Sequence, residues 1–130
     1  DYIVVFETES DIVSIKPDIA YLKKLDLRGV IITARSREYD FVSRFFAPKY
    51  GIDEDPVTGS AHTQLIPYWA RKLEKTKMKA KQVSSRGGEI LCELHNDRVL
   101  ISGKAVKFLE GKIQLNILPG PDNGIGVIET

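Results

Sequence analysis

Ala61, Leu65, Trp69 and Leu73 recur every four residues, and Ile66 and Ala70 widen the stripe they form. Only an α-helix places these side chains on one face, and so broad an apolar face has to sit deep in a core. This predicted helix starts near Gly59 and runs to about Leu73. Pro67 lies inside it. An interior proline removes one backbone hydrogen bond and crowds the preceding turn, at roughly 3 kcal/mol, so a kink or a displacement of the first turns is expected.

The material around that helix reads mainly as strand. Tyr2 to Phe6 is a continuously apolar, β-branched run, expected to be buried on both faces. Pro17-Asp18 opens a helical stretch to about Leu25, with Ile19, Leu22 and Leu25 on one face. Gly29 to Ala34 is a second buried strand, Arg35 to Glu38 a charged turn, and Asp40 to Phe46 a third strand. A long loop, Ala47 to Gly59, leads into the helix. From Lys77 to Ser84 residues alternate: Lys77, Lys79 and Lys81 to one side, Met78, Ala80 and Gln82 to the other. That lysine row is either a phosphate-binding surface or, more simply, a solvated edge whose charges discourage aggregation. Arg86-Gly87-Gly88 makes a turn, and Ile90 to Leu94 and Arg98 to Ile101 form a hairpin about Asn96-Asp97. Further strands are expected at Lys104 to Phe108 and Ile113 to Ile117, and Val127-Ile128 is a candidate last strand in a loop-like tail. Strands, then helices, then a run of antiparallel strands make an α+β fold and not a doubly wound one. An apolar strand at the very first residue reads as a chain cut at a domain boundary.

The 130 residues suffice for one domain with a modest core. A net charge of +1 argues against general affinity for nucleic acid or an anionic membrane. No apolar run approaches the ~18 residues of a membrane span. The single cysteine, Cys92, cannot form an internal disulfide and fits a reducing cytoplasm, and its mid-strand place reads as a buried structural thiol. His62 and His95 are far apart and show no metal-ligand spacing. No flavin, nicotinamide or metal signature occurs, so no cofactor is expected.

The segment Gly51 to Ser60, GIDEDPVTGS, holds the most chemistry. Three acids, Asp53, Glu54 and Asp55, precede Pro56, and Thr58 and Ser60 are both plausible helix caps with Gly59 between them. Glycine lets a ligand approach the backbone, and the N–H groups of Gly59, Ser60 and Ala61 with the helix dipole make a place for a carboxylate or phosphate. An acid just upstream is then a poised proton donor or acceptor. The plainer reading is a capped helix start with Asp55 holding backbone amides. Spacing alone leaves both open.

Residues 44–48 (RFFAP), 51–62 (GIDEDPVTGSAH) and 65–69 (LIPYW), with 82–88 (QVSSRGG) and 99–106 (VLISGKAV), closely resemble the phenazine-biosynthesis-F-like family. The resemblance covers roughly residues 1–113 and leaves 114–130 as an extension. It implies a fold like that of diaminopimelate epimerase, in which two similar lobes each wrap a mostly antiparallel, curved sheet or barrel around a central helix, with the active site between them. It implies that this chain is the second lobe of a cofactor-independent isomerase or epimerase-like enzyme that shifts a proton on a small carboxylate-bearing metabolite. Asp55 then matches the active-site aspartate, and Thr58, Gly59 and Ser60 match the residues holding the substrate carboxylate, with the Ala61 amide beside them. His62 would line the cleft or pack beside the helix start. Family members are about twice this length, and their main catalytic glutamate lies in the first lobe. The isolated chain is therefore expected to lack turnover and to want its missing N-terminal lobe, or a second copy, over its apolar surface. A stand-alone anion-binding module and a purely structural or dimerisation lobe are the competing readings.

Overall fold

The computed structural model of the chain describes residues 1–114. In chain order it contains β1 (Tyr2–Val5), α1 (Glu9–Ser14), α2 (Ile19–Leu22), β2 (Val30–Arg35), β3 (Phe41–Ala47), a 3-10 turn (Pro48–Tyr50), β4 (Ile52–Asp55), α3 (Gly59–Leu73), β5 (Lys77–Gln82), β6 (Gly88–His95) and β7 (Arg98–Ser102). All seven strands join one sheet in the order β1-β2-β3-β5-β6-β7, with β4 on β3. The β1–β2 and β3–β5 pairs are parallel, and the other four pairs are antiparallel. The fold is α+β, with a mostly antiparallel sheet that curves without closing into a barrel. No helix among the described residues is long and apolar enough to cross a membrane.

Side chains alternate across β2 and β3, which splits the core in two. Ile31, Phe41 and Phe45 join Met78, Ala80, Ile90 and Cys92 around Ala61, Leu65, Ile66, Trp69 and Ala70 of α3. Because strands from β2 to β6 all reach the same helix, the sheet has to bend around it. Val30, Ile32, Ala34, Val42 and Phe46 face the other way, onto Ile12 of α1 and the partly buried Leu22, Leu25 and Leu27. Trp69 stacks on Phe41 at 5.6 Å between centroids, and its indole N–H donates to Thr33 Oγ1 at 2.9 Å. The expected core helix thus has the predicted span and burial, and it runs unbroken through Pro67.

Several expectations need correction. β1 is not buried on both faces: it pairs only with β2, and Tyr2, Val4 and Val5 are exposed. The helix expected from Pro17 to Leu25 shortens to α2, which Asp18 caps by accepting from the Tyr21 N–H at 2.9 Å. Helix α1 was not anticipated, although Thr8 and Asp11 spell its capping box. The 47–59 connection is not all loop, since Ile52–Asp55 turns back as β4 onto β3. The lysine row lies on a solvated face and not on an edge, because β5 sits between β3 and β6. Lys104 to Phe108 forms no strand, nor do Ile113 and Gln114: after Ser102 they pair with no neighbour among the described residues, and an unpaired strand has no stability of its own. Val106 and Phe108 are accordingly 92% and 99% exposed. The extension expected at 114–130, with Val127-Ile128, lies outside the described residues except for Gln114.

Candidate functional site

The head of α3 is placed by a division of one strand edge. Along β3, Phe41, Val42 and Ser43 pair with β5, whereas Phe45 and Ala47 pair with β4. β4 runs antiparallel to β3 and ends with Asp55 opposite Phe45. β5 runs parallel and ends with Gln82 opposite Ser43. The two strands therefore finish facing each other across Arg44, and the loop to α3 is threaded between their ends.

Gln82 is fully buried there and binds the loop at three points. Its Oε1 accepts from the Thr58 N–H at 2.9 Å. Its Nε2 donates to the Asp55 carbonyl at 2.7 Å and to Thr58 Oγ1 at 3.1 Å. Thr58 Oγ1 in turn donates to Asp55 Oδ2 at 2.6 Å. The opposite side of the loop is held by Ser84, whose hydroxyl donates to the Pro56 carbonyl at 2.8 Å. Gly88 approaches so closely that a Cβ there would lie 2.4 Å from Val57 Cγ2. Sequence alone did not mark Gln82 as a site residue. The usable signal was its place on the buried phase of an alternating strand, since a buried amide has to find partners.

The three acids separate by what they touch. Glu54 takes both Arg44 Nε and Nη2, at 2.7 and 2.9 Å. The same guanidinium donates to the carbonyls of Ile12 and Ile15, so Glu54 belongs to a brace between β4, β3 and α1. Asp53 is exposed. Asp55 alone turns its carboxylate to the loop that opens α3.

Of the substrate-binding residues expected from the resemblance, Gly59 and Ser60 are exposed and Thr58 is buried behind them. A Cβ at Gly59 would meet nothing within 4 Å, so the fold itself does not require glycine there. The N–H groups of Gly59, Ser60 and Ala61 show no hydrogen bond to an acceptor among the described residues, as the first turn of a helix leaves them. The Ala61 side chain is buried, so only its amide is offered. His62 is fully buried. Its Nδ1 meets the Thr58 carbonyl at 2.8 Å, which makes Nδ1 the protonated nitrogen, and Nε2 has no partner. Its ring lies toward Phe41 in the core, and burial pushes its pKa below the ordinary imidazole value. Of the two alternatives for His62, the structure shows packing beside the helix start.

Arg28 is a second residue that sequence reasoning passed over. It forms a two-point ion pair with the buried Asp1 carboxylate, and its Nη1 donates to Ser60 Oγ at 2.9 Å. Arginine cannot accept, so the Ser60 proton is left for another acceptor. Cys92 is buried, and burial pushes its thiol up to about 12, as an inert structural cysteine requires.

The assembled geometry is an open helix head with three backbone donors, a serine hydroxyl and a neighbouring carboxylate. Gly59, Ser60 and Ala61 line none of four well-formed cavities in the described part of the chain, although one of about 940 Å³, bounded by Arg86, Gly87, Gly88 and Lys104, reaches Val57 of the loop. The helix head therefore lies on an open face.

Comparison with known proteins gives the family and the fold. The family model described as phenazine biosynthesis-like protein matches residues 1–111. An uncharacterized isomerase of Pseudomonas aeruginosa is 51% identical over 115 residues, which cover 88% of this chain and 44% of that protein. Phenazine biosynthesis-like domain-containing protein 1 of Mus musculus is 48% identical over 112 residues, covering 81% of this chain and 39% of the relative. Among solved structures, a phenazine biosynthesis protein of the PhzF family from Enterococcus faecalis superposes with a TM-score of 0.76 at 51% identity, over 78% of this chain and 39% of that one. A PhzC/PhzF protein from Clostridium difficile does so with a TM-score of 0.78 at 50% identity, over 87% and 44%. The chain spans less than half the length of the relatives described here.

Proposed function

This chain belongs to the phenazine biosynthesis-like protein family, several of whose members are named as isomerases, and on that footing we propose that it is one lobe, the second, of a cofactor-independent isomerase that moves a proton on a small carboxylate-bearing metabolite. One observation carries the reading: three backbone N–H groups at the head of α3, without an acceptor among the described residues, follow the short loop that begins at the Asp55 carboxylate. The N–H groups and the helix dipole, with the Ser60 hydroxyl, take the substrate carboxylate. Asp55, oriented by Thr58, then receives or returns a proton, or orients the substrate while another group does so. The reaction takes a proton from one carbon and returns one to another, so no electron acceptor enters the balance.

The principal base comes from the part of the protein beyond this chain. The short span relative to its relatives supports this, as does the open face around Gly59 and Ser60. The exposed apolar side chains of Tyr2, Val5, Leu91 and Leu100 support a covering lobe or a second copy of the chain. A lone unpaired thiol suits a reducing cytoplasm.

The test compares the purified 130-residue chain with the full-length gene product. Each is incubated in deuterium oxide with a panel of small allylic carboxylates, and mass spectrometry reads solvent deuterium in the recovered compound. The longer protein is expected to incorporate deuterium and the chain alone to bind without incorporation. Turnover by the isolated chain would sink the half-site reading. Binding with no exchange by either protein would favour a stand-alone anion-binding module.

A further inference from the structure

Thr58 stands at the position where a threonine ordinarily caps its helix by accepting from the N–H two or three residues on. Its side chain makes no such bond. Instead the hydroxyl accepts from Gln82 Nε2 and donates to Asp55 Oδ2, while the Thr58 N–H is taken by Gln82 Oε1. A primary amide is the group this arrangement needs, because it offers one acceptor and two donors at fixed relative positions. Turned over, the amide would set its NH2 against the Thr58 N–H and its oxygen against the Asp55 carbonyl, so the network allows one orientation only. The position of Gln82 follows from the meeting of the β4 and β5 ends on β3.

We propose that Gln82 is a positioning residue of this site: it draws the Thr58 hydroxyl away from the helix head, which keeps the Gly59, Ser60 and Ala61 amides open to an anion, and it aims that hydroxyl at Asp55. The inference rests on the carboxylate-binding reading above and adds its cause. A threonine left to itself would turn onto the Ser60 or Ala61 N–H and compete with any ligand there. Gln82 removes that competitor without touching the ligand.

The experiment titrates the 130-residue chain with benzoate and follows the amide signals of Ser60 and Ala61 by NMR, with their hydrogen exchange measured in the absence of benzoate. In Gln82→Met the Thr58 oxygen loses the donor it accepts from and is free to accept from the helix head, its proton staying on Asp55. Exchange at Ser60 or Ala61 should slow, and benzoate affinity should fall about fivefold, the equivalent of one helix cap. In Gln82→Met with Thr58→Val no hydroxyl remains to compete, and affinity should return toward that of the parent. Unchanged affinity and exchange in Gln82→Met, or a loss that Thr58→Val does not restore, would overturn the proposal. If Gln82→Met fails to fold, Thr58→Val alone decides. Unaltered exchange at Ser60 and Ala61 supports a threonine that was never capping, and faster exchange refutes it. Absence of any benzoate effect on the parent chain counts against the carboxylate site itself, and the exchange measurements still judge Gln82.

Discussion

Two helices among the described residues open on a threonine, and the two threonines are used in opposite ways. Thr8 and Thr58 both adopt extended backbone at the helix cap, with φ −128° and −116°. Thr8 accepts from the Asp11 N–H at 3.2 Å, and the Asp11 carboxylate accepts from the Thr8 N–H at 3.0 Å and its hydroxyl at 2.7 Å. That reciprocal closure occupies the head of α1. At α3 the hydroxyl is engaged behind the helix, and the head stays open. The difference does not lie in the threonine. Thr8 has an aspartate three residues along its own helix, whereas Thr58 has a buried glutamine contributed by a strand 24 residues away. A helix start stays open when something behind it takes up the cap.

The contrast can be broken or sharpened by substitution. The largest effect is expected from Asp55→Asn in the full-length protein. Deuterium incorporation should drop by at least ~100-fold, the usual contribution of a positioned acid or base, while benzoate still binds the helix head. Equal loss of both would mean that proton handling and anion holding are not separate. Next comes Gly59→Leu. Open space beyond the Cβ position allows the chain to fold with an unchanged melting curve, and the leucine side chain should block the amides and abolish the benzoate-induced shifts at Ser60 and Ala61. Undiminished shifts would move the anion elsewhere.

Thr8→Ala should lower unfolding free energy by about 1 kcal/mol in urea titration, with benzoate affinity untouched. A change in affinity would show that the two helix heads are coupled. The smallest effect concerns His62. Burial lowers its pKa in the fold below the ordinary 6.5, so the unfolded chain binds the proton more readily. The stability conferred by keeping this ring neutral is present above about pH 6.5 and is lost as pH falls from there toward the folded value. His62→Gln should flatten that part of the stability–pH curve, and an unaltered curve would show that the ring titrates as it does in water.

Much of the architecture could be read from residue pattern. The span of α3, the burial of β2 and β3, the alternation of β5 and the hairpin at Asn96-Asp97 all follow from local periodicity and turn chemistry, which act within a few residues. The pattern was less reliable where a strand depends on its neighbours. Tyr2 to Phe6 reads as a buried strand and is an exposed edge over Tyr2–Val5, whereas the apolar residues between Lys104 and Phe108 have no partner among the described residues to make them a strand.

Local spacing offered two readings of residues 51–61, an anion site with an acid upstream or a plain capped helix start, and could not choose between them, nor separate Asp55 from Asp53 and Glu54. Those choices depend on Gln82, Arg44 and Arg28, which lie 24, 10 and 32 residues along the chain from the loop residues they hold. Type and spacing of residues suffice for interactions between near neighbours on one helix or strand. Which hydroxyl is diverted, which carboxylate is already paired and which amide is left free depend on how β4 and β5 meet on β3, a long-range pairing that no local window contains.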